Sequence, residues 1–151
     1  MQTAHAATDI KAGDELTVAY WGDECSGQVQ QERRRKTEER FGFTCACIAC
    51  TLTGPSLRTS DERQRKIRVL TGLIDAADAV SSPAGDGERE QRRARLSEQV
   101  TSLRMLLREE GMPASWAQGA LLSAAASARR SGDWAAATRW AGDAAACTSV
   151  A

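Results

Sequence analysis

The sequence has little aromatic side chain, no net charge and no long apolar run, and each of these lacks removes a class of protein. Only 5% of its 151 residues are Phe, Trp or Tyr, and much of the 42% hydrophobic content is alanine, which buries little area per residue. A large all-β core is therefore not expected, whereas a helical bundle can bury enough surface. Lys and Arg together number 20, and so do Asp and Glu. A balanced chain lacks the basic field that drives nucleic-acid binding, yet it can still take up the basic tail of another protein. No stretch approaches the ~18 consecutive apolar residues of a membrane span. The opening residues lack the basic and apolar regions of a signal peptide. The five cysteines, Cys25, Cys45, Cys47, Cys50 and Cys147, are odd in number and tightly clustered, unlike a secreted disulfide framework. An intracellular, reducing location, nucleus or cytoplasm, is the expectation.

What is present concentrates between Asp9 and Cys50. Ile10 and the alternation Leu16, Val18, Tyr20 have the two-residue period of a strand, with Thr17, Ala19 and Trp21 on the other face. Ala12-Gly13-Asp14 between them is turn chemistry, because glycine reaches positive φ and aspartate bonds its own backbone. The pattern predicts a short hairpin ending near Tyr20; taken alone, it is an ordinary hairpin. Trp21 to Gln31 holds Gly22, Asp23, Ser26 and Gly27 and reads as a loop. From Gln30 to Arg40 the pairs Glu32–Lys36, Arg34–Glu38 and Arg35–Glu39 set opposite charges four apart, which predicts an exposed helix. Arg33-Arg34-Arg35-Lys36 could be read as a basic patch, but acidic residues flank it, and a solvated helix face is the better reading.

Cys45, Cys47 and Cys50 form a C-x-C-x-x-C cluster. Thiolates this close repel one another unless a cation sits between them. Zinc takes four soft ligands at tetrahedral corners, and short spacings let one loop supply several. A metal site is the leading reading, against buried or redox thiols. Three ligands leave one corner open, for which Cys25 and His5 are the internal candidates, although isolated residues of this kind are commonly bystanders. Cys147 reads as a small buried apolar group.

The rest is helical in pattern. Thr51 to Ser60, with Gly54 and Pro55, reads as a linker. Thr59 and Glu62 fit a capping box for a helix whose apolar face is Ile67, Leu70, Leu73, Ile74 and Ala77. Ser81 to Gly87 stops it. A second helix from about Glu88 to Glu110 carries Leu96, Val100, Leu103 and Leu107, with Leu106 beside them. A third runs from about Ser115 to Ser131. Gly132-Asp133 ends it and caps a fourth, which carries Trp134, Ala137, Ala141 and Ala144. Small facing residues let the last two helices approach closely, with Trp116, Trp134 and Trp140 as bulky fillers of a core rather than a binding box.

Two segments together carry a family resemblance. Asp9 to Tyr20, Asp-Ile-Lys-Ala-Gly-Asp-Glu-Leu-Thr-Val-Ala-Tyr, resembles the last conserved motif of the SET domain, and Phe41 to Cys50, Phe-Gly-Phe-Thr-Cys-Ala-Cys-Ile-Ala-Cys, resembles the post-SET segment in its SET-and-MYND style. The resemblance covers about the first third of the chain. The helix-Gly-Asp-helix unit around Gly132 is similar to a tetratricopeptide-like hairpin. The resemblance implies a protein-lysine N-methyltransferase that uses S-adenosylmethionine, with a protein lysine as substrate, histone or non-histone, or a partner protein, and with neither nucleic acid nor membrane. It implies Tyr20 as the active-site tyrosine, Phe43 as the aromatic plate for the cofactor's adenine, and Cys45, Cys47 and Cys50 as ligands of a structural zinc. It departs from the family in three ways. The Gly-rich cofactor segment and the Asn-His segment that supplies a further zinc cysteine do not occur in these residues. Phe41 stands where many relatives have a tyrosine of the lysine pocket.

The expected architecture is therefore mostly α with a small β portion. Residues 1–24 form the C-terminal piece of a SET domain, 25–54 a connecting helix and post-SET cysteine segment, and 55–151 a helical C-terminal region. A truncated, inactive SET protein is the expectation: a gene fragment, a start set too late, or a degenerate copy. The rival expectation is a non-enzymatic interaction module that works through the helical region and keeps a vestigial SET remnant.

Overall fold

A computed structural model of the chain describes residues 9–14, 20, 21, 24, 26–79 and 85–147. Six α-helices and a 3-10 turn make up most of them. They are α1 (Gln30–Phe41), α2 (Ile48–Thr51), α3 (Gly54–Ala79), α4 (Asp86–Glu109), the 3-10 turn Ala114–Ala117, α5 (Gln118–Arg130) and α6 (Trp134–Ala146). The helical expectation holds. The small β portion does not appear: no strand occurs among the described residues. The turn at Ala12-Gly13 is present, with Gly13 at φ 96 and Lys11 N–H donating to Asp14 Oδ2 at 2.8 Å. Around it, Asp9 to Lys11 is irregular. The second arm of the predicted hairpin, Glu15 to Ala19, lies outside the described residues. Among the described residues no helix is long and apolar enough to cross a membrane.

The core lies where α3, α4, α5 and α6 meet. Ile67 and Ile74 of α3 are fully buried, and Leu96, Val100, Leu103, Leu106 and Leu107 along α4 are buried. The most extensive helix pair is α5 with α6. It presses Ala120, Ala124 and Ala128 toward Ala136, Ala137 and Ala144, side chains short enough for close backbone approach. Asp133 caps α6 by accepting from Ala136 N–H at 3.0 Å, as the sequence suggests, and Gly132 turns the chain at φ 78.

Three details differ from expectation. First, α3 begins at Gly54, not near Thr59. Proline is well placed in a first turn, where its missing N–H has no partner to lose, so Pro55 starts the helix and Thr59 lies inside it. Second, the buried face of α6 is Ala136, Ala137, Trp140 and Ala144. It is centred on Trp140, which leaves Trp134 65% exposed and Ala141 in solvent. Third, Leu73 is exposed, because α4 and α5 cover the Ile67–Ile74 side of α3.

A polar knot fastens α3 to the end of α4. The Glu110 carboxylate accepts from Ser60 Oγ at 2.7 Å, Arg63 Nε and Gln64 Nε2 at 3.0 Å. Gln64 is itself buried, and its Oε1 accepts from Gly27 N–H at 2.9 Å, which ties the early segment to the helical region. Gly27 sits at φ 76, and a Cβ there would stand 2.9 Å from Arg68 Cβ, so only glycine fits. Burial pushes the Glu110 carboxyl up, but its three donors outweigh this and hold it below the ordinary carboxylate value. Its folded pKa is depressed, so its stabilisation is present above the unfolded carboxylate pKa and disappears as pH falls through the folded one. Glu110→Gln is expected to cost about 2–3 kcal/mol at neutral pH, because it leaves Arg63 without its anion. Urea melts at pH 7 and pH 3 check this: the gap between variant and wild type should shrink at the lower pH.

Candidate metal centre and aromatic cluster

Gly42 makes the site possible. It closes α1 in the left-handed region at φ 71, with its N–H on Glu38 O at 2.9 Å, and turns the chain back toward the helix it has just left. Cys45 follows in irregular backbone, and Cys47 occupies the N-cap of α2. Cys50 and Thr51 N–H donate to Cys47 O at 2.9 and 3.0 Å. One helical turn places residues three apart on the same face, so Cys47 and Cys50 point together. The Sγ atoms of Cys45, Cys47 and Cys50 all lie within 4.8 Å of one another. Thiolates bound to one zinc stand about 3.8 Å apart, so small shifts would bring all three onto a single ion.

The segment is held from below by α1. Gln30 Nε2 donates to Cys50 O at 3.1 Å and Leu52 O at 2.8 Å, while Arg33 Nη2 donates to Ala49 O at 3.1 Å. Arg33 is 7% exposed and Thr37 is also buried, which corrects the reading of this tract as a wholly solvated face. Of the pairs foreseen along α1, Arg35–Glu39 forms at 2.7 Å, whereas Glu32 reaches across to Arg68 of α3.

Environment splits the thiols. Burial, then the neighbouring Cys47, pushes Cys50 up to about 12, with Arg33 pulling the other way. Burial also acts to raise Cys47, but hydrogen bonds from the Cys50 backbone and from the Cys45 and Cys50 thiols prevail and lower it. None of the three is in a disulfide. The donor set, three sulfurs on one short turn with no competing carboxylate in the cluster, suits a soft dication such as zinc. Both residues named for the open corner, His5 and Cys25, lie outside the described residues. Cys147 is half-buried against the helical core.

Just ahead of the thiols in the chain, Phe43 belongs to an aromatic cluster. The Tyr20 ring lies 5.0 Å from Phe41 and 5.2 Å from Phe43, and Trp21 lies 5.2 Å from Phe41. Trp21 Nε1 donates to Thr37 Oγ1 at 3.1 Å, which anchors this stretch to α1, and the Arg40 guanidinium caps the Trp21 ring at 4.9 Å. The fold therefore brings Tyr20 and Phe43 together, two residues ahead of Cys45. Tyr20 is 58% exposed even with its ring against Phe41 and Phe43, so a flat or cationic group can reach it. Trp21 and Arg40, which complete the cluster, were missed from sequence because each sits in a stretch read as loop or solvated helix.

Over 83 residues the chain is 30% identical to histone-lysine N-methyltransferase set5 of Schizosaccharomyces pombe. The match takes in 55% of this chain and 25% of that protein, so the chain spans about a quarter of the length of the curated relative it matches. No family model and no solved structure matches. This partial similarity and the three-cysteine cluster together fit a SET- and post-SET-like region.

Proposed function

We propose that this chain carries the C-terminal part of a SET-type protein-lysine N-methyltransferase. In this reading residues 1–24 are the end of the SET domain, 25–54 the connecting helix and post-SET segment in its SET-and-MYND style, and 55–151 a helical region with a tetratricopeptide-like α5–α6 hairpin. The observation that carries it is the meeting of Tyr20 and Phe43, with Phe43 two residues ahead of three convergent thiols, in a chain that is 30% identical over 83 residues to a histone-lysine methyltransferase. Cys45, Cys47 and Cys50 would hold zinc in a structural role, fixing the segment that bears Phe43. S-adenosylmethionine, when bound, supplies the methyl group. Phe43 gives its adenine a plate, and Tyr20 orients the incoming lysine amine and keeps water from it. Phe41 offers no hydroxyl in this pocket. The substrate is a protein lysine, histone or non-histone.

The Gly-rich and Asn-His segments that complete such a site are not among these 151 residues, so the chain alone is proposed to be catalytically silent. Equilibrium binding of radiolabelled S-adenosylmethionine tests the reading. Saturable binding that Phe43→Ala reduces at least tenfold supports it; saturation indifferent to Phe43 removes it.

A second reading has its own observation. Between α4 and α6 runs a hollow of about 420 Å³ lined by the buried Val100 and Trp140, the exposed Met105, and Arg104, Arg108 and Arg139. Arg104 is tied to Asp143 at 2.7 Å. Such a groove suits a partner protein's segment, and the chain would then be an interaction module with a vestigial SET remnant. Absence of cofactor binding favours this second reading.

A further inference from the structure

We propose that Arg33 is the built-in counter-charge of the cysteine centre, holding Cys50 and the α2 turn in their ligating arrangement and balancing the charge of the metal-bound thiolates. The proposal rests on the metal reading of Cys45, Cys47 and Cys50 given above.

The starting point is a burial that α1 does not otherwise explain. Arg33 is 7% exposed on a helix whose other arginines reach solvent. A guanidinium is seldom buried without an anion, because desolvating a full charge costs several kcal/mol. Among the described residues no carboxylate pairs with Arg33. Glu32, next to it, is turned to Arg68, and Asp61 accepts from Gln30 N–H at 2.9 Å. The hydrogen bonds Arg33 does make go to the carbonyls of Gln28 and Ala49, the second of them one residue before Cys50. Two neutral carbonyls orient a guanidinium but do not neutralise it.

The missing charge is supplied by the chemistry of the neighbouring sulfurs. Three thiolates around one dication carry a net charge of about −1, and a fourth would add another. A buried cation beside Cys50 balances that charge, and its N–H groups form charge-assisted bonds to the anionic form of a thiol. The geometry is doubly useful. The same planar fork grips Ala49 O, one residue before Cys50, so Arg33 fixes the backbone turn that carries Cys50. Arg33 is thus a positioning residue that acts through Cys50.

The experiment uses the full 151-residue chain. Zinc(II) affinity is measured by competition with a chromophoric chelator, and cobalt(II) spectra report thiolate-to-metal absorption. The wild type is expected to take up one equivalent. Arg33→Gln, which keeps length and hydrogen bonding but loses charge, is expected to weaken zinc affinity about 10- to 100-fold, the usual range for a group supporting a ligand. Arg33→Lys, which keeps charge, is expected to lose markedly less, with the metal-free helical content of both variants unchanged. Wild-type affinity in Arg33→Gln overturns the proposal. So does an equal loss in both variants together with an equal fall in metal-free stability, which would mark a packing role only. Should Arg33→Gln not fold, Arg33→Lys decides alone: wild-type thiolate absorption supports the charge role, and its loss overturns it. If the wild type itself binds no metal, the metal reading fails first, visibly and separately, and the role of Arg33 falls with it.

Discussion

Cys50→Ser is expected to abolish metal binding by this chain, with the one-equivalent zinc content of the wild type falling to background in elemental analysis. Cys50 is the buried member of the cluster and the one α1 holds in place, through Gln30 to its carbonyl and Arg33 to the carbonyl before it. A serine hydroxyl does not ionise near neutral pH and makes a poor zinc ligand, so only two thiolates would remain from this segment. Binding of a structural zinc is folding free energy, of order 10 kcal/mol in small zinc modules. The same substitution should therefore loosen residues 42–53, read as faster amide exchange there with α3 to α6 unaffected.

The pH dependence of this centre has a definite sign. In the metal-free protein, burial and the neighbouring Cys47 raise Cys50 from an ordinary value of 9.0 to about 12. A raised folded pKa means the folded state holds its proton more tightly than the unfolded chain does. That contribution is whole below about pH 9 and is lost as pH climbs toward 12. Metal-free protein should therefore lose thermal stability above pH 9. Zinc-loaded protein should not share that loss, since the bound thiol has already given up its proton. Zinc affinity itself should rise with pH, because proton and metal compete for the same sulfur.

Much of this was legible in the sequence, and the illegible parts have physical causes. The cysteine spacing announces itself, because a C-x-x-C on one helical turn aims both thiols the same way whatever surrounds them. The apolar rows of α4 at Leu96, Val100, Leu103 and Leu107 could be read because large side chains at period 3.6 have one way to hide. The face of α6 was harder. Alanines fill it on several sides, so the hydrophobic signal is nearly isotropic, and only packing against α5 chooses Trp140 over Trp134. Arg33 was invisible for a different reason. A run of four basic residues looks uniformly solvated, and nothing local says that a turn sixteen residues later will fold back to cover one of them. Likewise the Glu110 knot joins residues some fifty positions apart, a separation that a single sequence does not encode in any spacing.

Trp140→Ala is expected to give the largest loss of stability, about 3–5 kcal/mol, as the removal of a large buried aromatic typically does. Trp140 is 3% exposed on α6 and belongs to the cluster formed with Val100 and Leu103 of α4 and Leu121 and Ala124 of α5. Its neighbours on α5 and α6 are largely alanines, already at minimal size, so they have no side chain to swing into the space. The melting temperature should fall by roughly 10 °C for a chain of this length. Trp134→Ala supplies the control: the same deletion at a 65% exposed position of the same helix should stay within about 0.5 kcal/mol. Urea melts of both variants check the contrast, and similar losses would show that the two faces of α6 had been interchanged. The consequence reaches beyond stability, because Trp140 also lines the hollow between α4 and α6, with Arg104, Arg108 and Arg139. If that hollow receives a partner's segment, Trp140→Ala should weaken capture of the partner, while zinc uptake at Cys45, Cys47 and Cys50, a site built on α1 and α2, stays at one equivalent.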